Sequence, residues 1–222
     1  MSAEGFHEVL VFPTWRELAR RLPRLLVGIP CLGIGIAMMV RARLGLSPYD
    51  VLHQGVARRT GLSIGVVIIL VGLGVLLLWI PLRQRFGIGT LINTLTAGLC
   101  ANAALAVIEP PEVLAARTAL LVGGVVVTAF GMGLYISAGL GPGPRDGLMT
   151  GIAARGYRLW VVRTALELTA LGIGWVLGGD IGLGTVLFAF SIGPLGHFFL
   201  TWLHLGRPGE PEPDLGPGTA AE

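Results

Sequence analysis

Six long apolar stretches, residues 25–40, 61–82, 86–108, 118–140, 159–178 and 181–205, follow one another along the chain with short polar breaks between them. Most reach the ~20 residues that a helix rising ~1.5 Å per residue needs to cross roughly 30 Å of hydrocarbon, so the pattern predicts six transmembrane helices. The first is the shortest and contains Pro30, the fifth carries Arg163 and Glu167, and the sixth has His197 and His204 toward its end. Before the first stretch, Thr14 and Glu17 stand at capping-box spacing, and arginines alternate with leucines until Pro23 interrupts them. Residues 1–24 are therefore expected to form an interfacial amphipathic segment. In it Arg16, Arg20, Arg21 and Arg24 face headgroups, while Trp15, Leu18 and Leu22 enter the apolar boundary. Residues 206–222, rich in Pro, Gly and acid, are expected to be a disordered tail.

Composition sharpens this all-α, polytopic reading. Hydrophobic residues make up 53% of the 222 and charged residues only 13%, about half the usual share for a water-soluble domain. All sixteen basic residues are Arg, scattered rather than clustered, so the net charge of +3 does not point to nucleic acid. The lipid bilayer is the expected partner. Cys31 and Cys100 both fall inside apolar runs and form neither a disulfide framework nor a zinc-ligand set. No short apolar core with a small-residue cleavage site opens the chain, so the first span is expected to direct insertion. With six crossings and the N-terminus in the cytoplasm, eleven arginines fall inside and five outside, which favours cytoplasmic N- and C-termini.

The chain also resembles itself. At an offset of 96, Gly28 and Gly35 fall on Gly124 and Gly131, and Ala42, Leu44, Gly45, Pro48, Asp50, Gly55, Ala57 and Arg59 fall on Ala138, Leu140, Gly141, Pro144, Asp146, Gly151, Ala153 and Arg155. Trp79 falls on Trp175; at an offset of 95, Gly87, Gly89, Thr90 and Gly98 fall on Gly182, Gly184, Thr185 and Gly193. The reading is a duplication, with repeats over residues 25–108 and 109–205. Three crossings per copy is an odd number, so the second copy is expected to be inverted, a construction used by secondary transporters.

The run Leu44-Gly45-Leu46-Ser47-Pro48-Tyr49-Asp50-Val51-Leu52-His53-Gln54-Gly55, with Thr60-Gly61-Leu62-Ser63-Ile64-Gly65, Trp79-Ile80-Pro81-Leu82-Arg83-Gln84-Arg85 and Gly87-Ile88-Gly89-Thr90, resembles the YczE-like bacterial integral membrane proteins (YczE/YyaS/YitT) over residues 25–200. The resemblance implies a bacterial inner-membrane protein with a repeated multi-span core. It supplies no ligand and no mechanism.

Candidate chemistry concentrates in the repeated frame. Ser47 before Pro48 and Asp50 is a helix start, with a capping hydroxyl, proline at the first position and a carboxylate at the third; Gly143, Pro144 and Asp146 repeat it. The helix that follows, residues 48–59, spans about 18 Å and is too short to cross. It either lies on the surface, with Asp50 and Asp146 acting as caps, or dips into the membrane. In the second case the two half-helix N-termini face a shared site that favours an anionic or zwitterionic solute, and the carboxylates hold a coupling cation or proton. Glu167 is costly inside a span unless partnered, and Arg163 one turn earlier offers a pair. Asn93 and Asn102 fall on opposite faces of one helix and read as interhelical contacts, while Asn102 and His197 occupy matching positions and complete the candidate pathway. No triad, zinc spacing or nucleotide loop is present, so neither an enzyme nor a cofactor is expected. The expected function is a transporter or permease-like protein for a small solute, with a non-transporting scaffold or accessory protein as the alternative.

Overall fold

The computed structural model describes residues 10–11 and 15–203. Among these the chain forms helices α1 (Trp15–Ala42), α2 (Pro48–Thr60), α3 (Ile64–Leu82), α4 (Ile88–Val107), α5 (Leu114–Ser137), α6 (Pro144–Ala153), α7 (Leu159–Val176) and α8 (Leu183–Trp202). Two-residue strands β1 (Leu10–Val11) and β2 (Phe86–Gly87) pair in parallel, with Leu10 opposite Phe86. Six helices are long and apolar enough to cross a membrane: α3, α4, α5, α7, α8 and the Leu18–Ala42 portion of α1. These match the six apolar stretches, with ends shifted by a few residues. The Thr14 capping position, His204, Arg207 and the 206–222 segment lie outside the described residues.

Helix α1 corrects the expectation of a separate surface segment. It runs unbroken through Pro23 and Pro30. A proline in a helix removes one hydrogen bond and crowds the preceding turn, but packing against neighbouring helices makes up the loss in membrane spans. Here the early turns are anchored on both sides. Leu18 and Leu22 pack on the cluster of Leu25, Ile29 and Tyr135, and Arg24 Nη1 donates to the carbonyl of Leu203 at 2.9 Å. Arg21 is 8% exposed and donates to the carbonyl of Ala138 at 3.1 Å, so it does not face headgroups.

Long helices in lipid gain no hydrophobic energy from touching one another, so close association depends on small residues that let backbones approach. The α1–α5 contact is built this way. A Cβ on Gly28 would sit 3.0 Å from the Gly131 carbonyl, and one on Gly35 would sit 2.8 Å from the Gly124 carbonyl. Because the earlier glycine of α1 meets the later glycine of α5, the two helices run antiparallel. Between α3 and α4, Gly65 and Gly98 meet backbone to backbone in the same manner.

Several long-range hydrogen bonds come in pairs whose members stand 95 or 96 positions apart. Arg21 donates to the Ala138 carbonyl, and Arg117 Nε to the Ala42 carbonyl at 2.8 Å. The Gly89 amide donates to Leu140 at 2.8 Å, and the Gly184 amide to Leu44 at 2.7 Å. Arg59 donates to Leu177, and Arg155 to Pro81. The short helices exchange partners accordingly: α2 packs on α7, where Gly55 lies against Gly174, and α6 packs on α3, where Trp79 covers Gly147. One tryptophan breaks the pattern. Trp79 is fully buried and its indole N–H donates to the Pro144 carbonyl at 3.0 Å, whereas Trp175 is 66% exposed.

Between α7 and α8, Asp180 accepts a fork from Arg58 (2.8 and 2.6 Å), accepts from Gln54 Nε2 at 3.0 Å and donates its amide to Gln54 Oε1 at 2.7 Å. The Arg58 hydrogen bond is the largest influence holding the Asp180 carboxyl below its ordinary range.

Two outcomes follow from this packing. Gly35→Leu, which drives a side chain into the α5 backbone, should destabilise the protein by about 1–3 kcal/mol, whereas Gly172→Ala, which meets open space, should be neutral or slightly stabilising. Thermal melts of the two variants in detergent check this. Because Asp180 is charged more readily when folded, its contribution is complete above the unfolded carboxylate range near pH 4 and fades as pH falls through its lower folded value. Asp180→Asn should therefore lower the melting temperature at neutral pH and flatten its fall below pH 4; an unchanged acid limb would contradict this.

Candidate functional site

The N-terminal ends of α2 and α6 reach one cavity of about 370 Å³ in the middle of the bundle. Its walls are mainly apolar, with Leu32, Ile36, Val71, Met132 and Phe188 among them. Its polar part includes Asp50, His53, Asn93, Arg145, Asp146 and Arg163, with Thr94, Thr128, Tyr49 and Tyr135 beside them. Ser47, Gly143 and Pro144 also border it, so both helix starts picked out by the sequence share one space.

The first helix start is internally complete. Ser47 caps α2, accepting from the Asp50 amide at 3.2 Å and donating its hydroxyl to Asp50 Oδ2 at 2.5 Å. The other carboxylate oxygen lies 3.2 Å from His53 Nδ1. Asp50 and His53 are both buried, so this network satisfies polar atoms that would otherwise be costly to bury.

The second start has the same backbone and different chemistry. Pro144 begins α6 and Asp146 is in its first turn, but the cap is Gly143, which has no side chain. Met149, not histidine, stands 96 positions after His53. Among the described residues no side chain donates a hydrogen bond to Asp146, and its half-buried carboxylate faces the cavity. Asn93 on α4 lies beside it, with its Oδ1 buried and without a partner among the described residues.

The intrahelical pair expected in the fifth span is present: Arg163 Nε lies 3.1 Å from Glu167 Oε1. Sequence reasoning missed the second cation. Arg145 Nη2 reaches the same oxygen at 2.5 Å, and its guanidinium stacks over the Tyr49 ring, 4.7 Å from the centroid. Glu167 thus stands behind two arginines that border the cavity and does not line it itself. Tyr49 and Arg145 are 96 positions apart, so two residues matched by the sequence offset touch. That coincidence was the available signal, since residues adjacent to two repeated aspartates must meet if the aspartates share a site.

Two candidates lie elsewhere. Asn102 accepts from the Gly65 amide at 3.0 Å and donates to Ser63 Oγ at 2.9 Å, tying α4 to the start of α3. Its side chain is consumed there and does not line the cavity. His197 is exposed on α8 and is likewise absent from the cavity wall. Matching positions at an offset of 95 do not bring Asn102 and His197 to the cavity, because each sits toward the far end of its helix. The groups of His, Cys, Asp and Glu among the described residues form no metal-binding cluster.

Residues 19–201 match the family model described as a family of unknown function, DUF6198. The chain belongs to this family. An uncharacterized protein of Haemophilus influenzae is 41% identical over 187 residues, covering 84% of this chain and 86% of the relative. The uncharacterized membrane protein YczE of Bacillus subtilis is 33% identical over 189 residues (83% and 87%), and the uncharacterized protein YyaS of the same organism is 27% identical over 179 residues (78% and 89%). The YczE-like resemblance read from the motifs thus holds, and with six apolar helices the chain is a membrane protein. No solved structure matches it.

Glu167→Gln should release both Arg145 and Arg163 and cost about 1–3 kcal/mol of stability, the range for losing charge-assisted hydrogen bonds at a partly exposed site. Adding Arg163→Gln should recover part of the loss by removing one unmatched cation. Melting curves of the single and double variants test this, and a double variant less stable than Glu167→Gln would contradict it.

Proposed function

We propose that the chain is a small-solute transporter of the bacterial inner membrane, built from two inverted three-span repeats whose short Pro-x-Asp helices meet at the solute site. The observation that carries the reading is the shared cavity: two separate helix starts, each bearing an aspartate, open onto the same 370 Å³. The volume lies in the range of small-molecule sites, and apolar walls with a few converging polar groups are the usual composition of such sites.

The inversion is supported by the antiparallel α1–α5 crossing, since these helices begin the two copies. It is also supported by the hydrogen-bond pairs at constant offset and by the Tyr49–Arg145 contact between equivalent positions, as a two-fold relation requires near its axis. Helix α2, at thirteen residues, spans about 20 Å, and α6, at ten, about 15 Å; neither reaches across a bilayer. Both act as half-helices whose inner ends have polar company only because they line a cavity within the protein. The arginine distribution supports placing both termini in the cytoplasm.

In a variant with Cys31 and Cys100 replaced by Ser, single cysteines at Gly61 and Gly156, just beyond the outer ends of α2 and α6, should react with a membrane-impermeant maleimide from opposite faces. Proteoliposomes given a labelled bacterial metabolite extract should accumulate a solute by mass spectrometry, and Asp146→Asn should abolish that uptake without loss of folded protein. Labelling of both cysteines from one face would end the inverted arrangement. Absence of any accumulation above protein-free liposomes would instead favour a scaffold.

A further inference from the structure

The two copies of the helix start differ by one hydroxyl, and the difference falls at the cavity. In the first copy the Ser47 hydroxyl donates to Asp50 Oδ2. In the second, Gly143 supplies no hydroxyl: the point its Cβ would occupy is 3.2 Å from Asp146 Oδ2, 3.6 Å from Asn93 Nδ2 and 3.8 Å from Tyr135 Cε1. Glycine is not required there for backbone reasons, since φ −62° and ψ 158° suit any residue. Glycine in place of serine therefore removes a donor at a backbone position that would accept a side chain.

The surrounding atoms specify what fits. Asp146 offers two acceptor oxygens that no described side chain uses, and Asn93 Oδ1 is a second buried acceptor without a partner. Amide oxygen and nitrogen are interchangeable by a half-turn of the side chain, so Asn93 can present that oxygen to the same point. Arg145 and Arg163 are both hydrogen-bonded to Glu167, and neither donates to Asp146. An acceptor left without a donor in a partly buried site is costly, and a donor carried by a ligand supplies what is missing.

We infer that the cavity binds a protonated amine carried on an apolar body, its ammonium seated over Gly143 and donating to Asp146 and Asn93 in place of the hydroxyl that Ser47 provides in the first copy. The apolar body lies against Ile36, Val71, Met132 and Phe188. This names the ligand class of the proposed solute site and rests on that reading only in taking the cavity as a ligand site. A ligand bearing a carboxylate as well can direct it at Arg145 and Arg163; the ammonium is the common requirement.

Purified protein in detergent is tested by thermal shift and equilibrium dialysis with 2-phenylethylamine, zwitterionic phenylalanine, neutral 2-phenylethanol and anionic 3-phenylpropanoate. The amine, with or without the zwitterion, should raise the melting temperature in a concentration-dependent way, and the alcohol and carboxylate should not. Gly143→Ser should weaken amine binding by about ten- to a hundredfold, the range for losing a charge-assisted hydrogen bond. It should also raise the ligand-free melting temperature, because its hydroxyl then satisfies Asp146. Asp146→Asn should lose amine binding as well. Stabilisation by the carboxylate alone, no shift with any amine, or undiminished amine binding by Gly143→Ser would overturn the inference. Carboxylate binding would leave the transport reading standing, while amine binding without uptake into proteoliposomes would end the transport reading and leave this inference intact.

Discussion

The architecture depends on how closely two helix backbones approach in a solvent that gives them no reason to associate. Lipid is as apolar as leucine, so α1 and α5 are held by shape, and the four glycines at their crossing provide it. The antiparallel crossing fixes where α2 and α6 begin, because each short helix follows the end of one of these two after a tight turn. Gly45 and Gly141 occupy the left-handed region in those turns, at φ 108° and 125°, which L side chains rarely adopt. Both turns press against the starts of α8 and α4, where Gly184 and Gly89 donate to Leu44 and Leu140. The crossing thus delivers two helix N-termini to the centre of the bundle.

Charge at that centre is arranged unequally. Asp50 is enclosed by its own cap and by His53, while Glu167 is shared by two arginines from different helices. Asp146 retains free acceptor capacity beside them. Ser47 and His53 satisfy Asp50, whereas Gly143 and Met149, each 96 positions further on, offer Asp146 no donor.

Much of this was legible in the sequence because membrane spans and glycine contacts leave local signatures. Six apolar runs, the Ser47-Pro48-x-Asp50 cap and the Arg163–Glu167 spacing each follow from short-range rules, and each has its counterpart in the structure. What escaped was long-range. Pro23 reads as a helix break until Arg21 and Arg24 are seen bonded to carbonyls more than a hundred residues away. Asn102 and His197 matched as repeat positions, yet shared register does not imply shared space. Arg145 was hidden because its partner Glu167 lies on another helix, twenty-two residues on.

The two tryptophans carry a further meaning. Trp79 lies flush over Gly147 and bonds to Pro144, while Trp175, 96 positions on, looks outward. One indole therefore clamps α6 to α3, and the matched position on α7 is left to meet lipid, so the seat of α6 is fastened by a ring that the seat of α2 does without.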